Sequence, residues 1–221
     1  MVEYTPSNLS QRERYKVLTS FVLPRPIAWV TTVGPTGVVN AAPFSFFNVF
    51  CEDPPLCMFA ANNRPDGRPK DTLVNIRHTG EFVVNLVDEP LAEAMNICAT
   101  DFPPETSELE AVGLATAPSV HVAPPRIVEA PAALECRREL SLNFGPHREL
   151  LIGRVLHVHV RPEVMDAAYN VDMAAYRPVG RLFANLYAHQ SEVFALERLS
   201  HGEWQRRRAV ESQAAASADP A

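Results

Sequence analysis

Asn40-Ala41-Ala42-Pro43-Phe44-Ser45-Phe46-Phe47-Asn48 leads through Glu52-Asp53-Pro54-Pro55 into Leu56-Cys57-Met58-Phe59-Ala60-Ala61. The chain then enters Asn62-Asn63-Arg64-Pro65-Asp66-Gly67-Arg68-Pro69-Lys70-Asp71-Thr72. The aromatic run from Phe44 to Phe50 and the apolar run from Leu56 to Ala61 have the length and composition of strands, and the Asp-Pro-Pro between them is a turn signal. An unbroken apolar run suits a strand inside a sheet. The cationic loop after it feeds Thr72–His78, which is helical in pattern, with Asp71 as the expected N-cap and Gly80 as the stop. Glu81–Val87 is the next strand.

Outward from that stretch the same reading continues. Ser10-Gln11-Arg12-Glu13 has the capping-box pattern and opens a helix near 11–20. Ile27–Val33 is β-branched and aromatic, and Gly34-Pro35-Thr36-Gly37 turns it into a hairpin with Val38–Asn40. Beyond residue 90 follow a short helix over Leu91–Cys98, a Pro-rich acidic excursion from Asp101 to Pro125 with one helical turn near 107–112, and strands over Ala132–Asn143 and Leu150–Val160. A helix-rich connection through Tyr169 and Tyr176 then leads to Arg177–Tyr187. Six or seven strands at hairpin spacing predict a mainly β, antiparallel barrel with short peripheral helices, not a doubly wound sheet. The expected organisation is one domain over 1–199 and a flexible polar tail over 200–221.

Composition narrows the function classes. With 20 Lys+Arg against 26 Asp+Glu, the chain has no broad basic surface, which argues against nucleic acid as its main partner. No apolar run approaches the roughly 20 residues of a membrane-spanning helix, and Met1–Pro6 lacks signal-peptide character, so a cytoplasmic protein is expected. Cys51, Cys57, Cys98 and Cys136 are scattered without a C-x-x-C pair, which suits reduced, buried thiols.

The chain carries neither G-x-G-x-x-G nor G-x-x-x-x-G-K-[ST], so a nucleotide would have to be held without the usual Gly-rich cradles. Ser45 and Asn48 stand among aromatics, where they read either as ligand donors against apolar walls or as satisfied polar positions of a strand. Arg64, Arg68, Lys70 and Thr72 read either as a solvated charged turn or as an anion site at a helix start, with Asp71 opposing the anion unless its carboxylate turns away. His147 follows Gly145-Pro146 at a strand mouth, where it could orient a substrate or supply a proton. His157 and His159 share a strand face, and no third ligand near them in sequence suggests a metal site.

Six segments in matching order resemble the flavin reductase-like family of FMN-binding split barrels. They are Arg25-Pro-Ile-Ala-Trp-Val-Thr-Thr32, Asn40–Asn48, Asp53-Pro-Pro-Leu56, Lys70-Asp-Thr72, Gly80–Leu86 and Arg177-Pro-Val-Gly-Arg181, and the resemblance spans roughly 10–198. It implies a split β-barrel, Greek-key-like, that forms a homodimer and binds FMN, with FAD possible, in a groove near the subunit interface. The implied cofactor-binding residues are Ser45, Asn48, Lys70 and Thr72, together with Thr31, Thr32, Pro43, Phe46, Asn63 and Arg64. His147 resembles the histidine of a Gly-Asp-His motif, with Pro146 in place of the acid, and is the implied catalytic residue. Phe183-Ala184 stands where relatives tend to have Gly-Gly. The implied activity is reduction of flavin by NADH or NADPH, with hydride passing to the flavin N5 and the reduced flavin available to a partner monooxygenase. The alternatives are an FMN-dependent oxidase or monooxygenase with its own small-molecule substrate, the 101–125 excursion serving as a lid, and a flavin-binding module without turnover.

Overall fold

The Ser10 hydroxyl and the Glu13 carboxylate exchange hydrogen bonds with each other's backbone N–H (3.3 and 2.8 Å), and this closed capping box starts α1, Gln11–Phe21. The computed structural model describes residues 1–217 except 65, 146 and 191, with side chains as far as residue 210. Residues 1–191 and 192–221 form two separate units.

In the first unit α1 is followed by β1 (Ala28–Val33), β2 (Val39–Phe44), β3 (Phe47–Glu52), β4 (Pro55–Asn62), α2 (Asp71–Thr79) and β5 (Glu81–Asn85). Then come α3 (Ala92–Ile97), α4 (Glu108–Ala111), β6 (Thr116–Ala117), β7 (Arg126–Ile127), β8 (Ala132–Phe144), β9 (Arg148–Val160), α5 (Met173–Tyr176), β10 (Val179–Arg181) and β11 (Tyr187–His189). Seven strands make one antiparallel sheet in the order β2-β1-β5-β8-β9-β4-β3, and β6-β7 and β10-β11 are separate two-stranded ribbons. The mainly β, antiparallel class expected from the strand spacing, and the split barrel that the resemblance implies, are the class of this fold.

β1 is buried on both faces, and apart from the hydrogen-bonded Thr31 and Thr32 its residues are apolar. Ala28 and Val30 enter one core cluster with Phe44, Phe59, Phe82 and Leu151, while Trp29, one residue out of phase, enters a second with Met95, Leu109 and Ile127. Both faces of the strand are covered, so alternation would leave polar groups buried. Cys57, Cys98 and Cys136 are buried free thiols and Cys51 is half-buried.

Two local expectations need correction. Lys70, not Asp71, is the N-cap of α2, and Asp71 is its first helical residue. Gly80 ends that helix at φ 75°, a left-handed conformation that suits glycine. The connection through Tyr169 and Tyr176 holds only the four-residue α5, because Asp166 accepts hydrogen bonds from the Ala168 and Asn170 amides and makes a turn instead. Between β10 and β11, Ala184 sits at φ 51°, at one of the two positions where the resemblance leads one to expect glycine.

The excursion is clamped to the sheet by buried polar groups. Asn85, fully buried, donates to Trp29 O at 3.0 Å and accepts from Ile127 N at 2.8 Å. Glu135, also fully buried, accepts from Val120 N (2.7 Å) and His121 N (2.6 Å) and meets His159 Nε2 at 2.6 Å. Burial pushes the Glu135 carboxyl up, but these hydrogen bonds outweigh it and hold it below the ordinary carboxylate range. The second unit, taken by itself, contains α6 (His201–Ser217), opened by a Ser200–Glu203 capping box, within the region expected as a tail. Residues 218–221 lie outside the described part. Among the described residues, no helix is long and apolar enough to cross a membrane.

Candidate functional site

β2 and the loop before α2 bring Pro43, Arg64, Lys70, Asp71 and Thr72 to one cleft, whose far wall is Cys98–Phe102 and Glu108 from the excursion. A second hollow shares Pro43 and Lys70 with it and adds Ser45, Phe46 and Arg148. A third shares Phe46 and Arg148 with the second and continues between α1 and the mouth of β9. Together the three form one trough, charged at the α2 end and apolar at the α1 end.

At the charged end, α2 begins without a side-chain cap, so no side chain takes its first backbone amides where Lys70, Asp71 and Thr72 line the cleft. Lys70 Nζ, one-third exposed, has its nearest acid at 3.9 Å, Asp101 Oδ1. Arg64 is differently placed: its guanidinium takes the Asp71 carboxylate bidentately (2.7 and 3.3 Å), and this pairing holds the arginine charged more firmly. Asp71 does turn its carboxylate aside, onto Arg64, and so neutralises that cation. Lys70 is left as the less encumbered positive charge of the cleft.

Thr72 is 1% exposed and its hydroxyl donates to Asn40 at 3.0 Å, whose amide in turn donates to Glu108 Oε1 at 3.2 Å. Glu108 Oε2 accepts from Ala41 N at 2.9 Å. This chain latches the excursion onto β2. Burial pushes the Glu108 carboxyl above its ordinary value of about 4.5, and it also lifts the neighbouring Cys98 thiol to about 12, so Cys98 is no thiolate nucleophile at neutral pH.

The latch makes a prediction. Gln at 108 can accept from Ala41 N and, with the Asn40 amide turned over so that its nitrogen donates to Thr72 Oγ1, donate to Asn40 Oδ1, so Glu108→Gln should match or exceed the wild-type melting temperature at neutral pH. Glu108→Ala should lose about 2 kcal/mol by leaving both partners buried and unmet. The folded protein holds the Glu108 proton more tightly than the unfolded chain does. Wild type should therefore gain on Glu108→Gln as pH falls from above the raised folded value, with the gain complete below about 4.5. Thermal unfolding from neutral to acid pH reads both effects.

Along the middle of the trough, Ser45 is half-buried and its hydroxyl has no hydrogen-bond partner among the described residues. Phe46 lies under the Arg148 guanidinium, 4.3 Å from the ring centroid, with Tyr15 of α1 at 6.1 Å. At the apolar end stands His147, exposed, its carbonyl accepting from Asn63 N at 3.0 Å. Pro146 beside it lies outside the described residues.

The trough thus gathers Pro43, Ser45, Phe46, Arg64, Lys70, Thr72 and His147, with Asn63 alongside in the loop. It does not gather the others. Thr31 is fully buried, donating to Pro125 O at 2.6 Å and accepting from Asn85, and Thr32 is fully buried under Asn75 Nδ2 at 3.0 Å. Asn48 is exposed on the edge strand β3, its side-chain oxygen accepting from Val49 N at 2.9 Å. Sequence reasoning missed Asn40, Asp101, Glu108 and Arg148. Each is an isolated polar residue brought in by a distant element, and no local signal marks it. No cluster of three metal-ligating side chains occurs among the described residues, although the His157 and His159 rings do meet, 4.7 Å apart.

Residues 20–180 match the flavin reductase like domain. The chain is 37% identical to the 2-nitrobenzoate 2-nitroreductase of Pseudomonas fluorescens, over 90% of this chain and 98% of that one, with a TM-score of 0.83. It is 35% identical to nitrilotriacetate monooxygenase component B of Bacillus cereus, over 89% and 98%, with a TM-score of 0.85. A split-barrel protein of Shewanella frigidimarina, 20% identical over 88% and 96% with a TM-score of 0.75, shares the fold.

Proposed function

The chain belongs to the flavin reductase-like family, and from that premise we propose that it is an FMN-dependent oxidoreductase reduced by NADH or NADPH. The observation that carries this reading is the trough itself: a cationic helix start joined to an apolar wall that bears an unused hydroxyl. The residues fit FMN. Lys70 and the first amides of α2 suit a phosphate, Ser45 suits an acceptor on the ring edge, and Pro43 and Phe46 suit the ring faces. FAD would need room beyond the Lys70 end, where Asp101 and Phe102 stand. Of the ten residues first implied for the cofactor, Thr31, Thr32 and Asn48 are the least suited, since their polar groups are already engaged.

When bound, FMN supplies a two-electron acceptor that takes hydride from a reduced nicotinamide and hands the electrons on. The chain's own share is alignment and exclusion of water, which needs no acid–base pair, and His147 at the trough mouth would position a substrate. Val49 and Phe50 on the edge strand, with Leu142 and Phe144 at the hairpin tip, are exposed apolar side chains that suit a second copy, and a homodimer is part of the reading. A partner monooxygenase is in keeping with the component B likeness.

The test is anaerobic. Mixed with FMN under nitrogen, the protein should bleach the flavin's visible absorbance on addition of NADH or NADPH, and an unchanged spectrum with both overturns the proposal. A second reading, in which the enzyme reduces its own organic substrate, is favoured by the apolar groove that continues the trough and by the nitroreductase likeness.

A further inference from the structure

Two arginines approach Phe46, and they differ in how they are satisfied. Arg25, nearly buried, donates both its Nη groups, to the carbonyls of Thr19, Val22 and Leu182 at 2.7–3.0 Å, and so ties the end of α1 to the turn after β10. Arg148, half-buried at the mouth of β9, spends only its Nε, on Asn62 Oδ1 at 2.7 Å. Its two Nη groups have no hydrogen-bond partner and no carboxylate among the described residues.

A partly desolvated guanidinium without an anion is costly, and here burial makes the charged form harder to keep. The groove that Arg148 lines carries no acid either. Its walls are Tyr15, Leu18, Phe46 and Phe144, and its other charges are Arg12 and Arg14, both positive. Glu13, the nearest acid on α1, is consumed by its capping box. A free planar fork matches a carboxylate in two parallel hydrogen bonds, and aromatic walls match a flat ring.

Building on the FMN reading, we infer that this groove binds a small aromatic carboxylate as the enzyme's organic substrate, its carboxylate held by Arg148 and its ring against Tyr15 and Leu18. A neutral amide of the same shape would leave the guanidinium unpaired and is rejected. That rejection is the specificity the site provides.

Benzoate and benzamide test this, titrated by calorimetry into FMN-loaded wild type, Arg148→Gln and Arg148→Lys, with FMN affinity of each measured separately by equilibrium dialysis. Wild type should bind benzoate at least about tenfold more tightly than benzamide. Arg148→Gln should erase that preference with FMN affinity unchanged, and Arg148→Lys should keep part of it. Equal binding of the two probes by wild type overturns the inference, even if neither variant folds. So does a preference that survives Arg148→Gln, or a comparable loss of FMN affinity in that variant, which would assign Arg148 to the flavin. If wild type retains no flavin, the FMN reading fails, and the benzoate–benzamide difference on the flavin-free protein still decides the groove.

Discussion

Lys70→Glu is expected to weaken FMN binding by about a hundredfold, equivalent to about 3 kcal/mol, while leaving the melting temperature close to wild type. The substitution removes the less encumbered cation of the cleft and sets a third carboxylate beside Asp71 and Asp101. Lys70 is partly exposed and its one ion-pair contact is long, so the fold does not depend on it. The opposite sign is expected at Asp101. This carboxylate, within 4.0 Å of both Arg64 and Lys70, competes with a phosphate, so Asp101→Asn should tighten binding, more so at low salt. Fluorescence titration of FMN reads both, and unchanged affinity in Lys70→Glu would move the phosphate elsewhere. Thr72→Ala is a poor probe of the same question, because it also cuts the Asn40–Glu108 latch.

The largest expected effect on stability is at Gly153 of β9. A methyl group there would sit 2.3 Å from Phe82 Cζ, 2.9 Å from Cε1 and 3.3 Å from Cys136 Cβ. Phe82 cannot yield: it is fully buried and packs edge-on to Phe59 with ring centroids 5.6 Å apart. Gly153→Ala should therefore cost about 3 kcal/mol, lowering the melting temperature by about 6–12 °C for a domain of this size. Shrinking the obstructing ring in a Gly153→Ala, Phe82→Leu double variant should cost less than the two changes summed. Calorimetry on the four proteins measures the coupling, and strict additivity would mean that the clash is not what matters.

Much of this was legible in advance, and the reasons are local. The Ser10–Glu13 box, the Gly34–Gly37 turn, the Leu56–Ala61 run and the Gly80 stop each involve residues within a few positions of one another, so short-range chemistry is enough to read them. Where a nearby side chain offered the backbone another partner, the reading failed. Asp166 turned an expected helix into a loop.

The site divides in the same way. That Pro43, Ser45, Phe46, Lys70 and Thr72 belong together follows from segments close in sequence that one strand pair and one helix start hold in register. Sequence alone was also enough for the antiparallel class and for the cationic loop feeding a helix. Long-range packing had to settle which polar groups remain free to meet a ligand. The Thr31 and Thr32 hydroxyls are spent on Pro125 and Asn75, and the Arg64 guanidinium on Asp71. Ser45, Lys70 and Arg148 kept theirs. A hydrogen-bonding group can be spent only once, and partners as far as 157 residues away in the chain decide where it is spent.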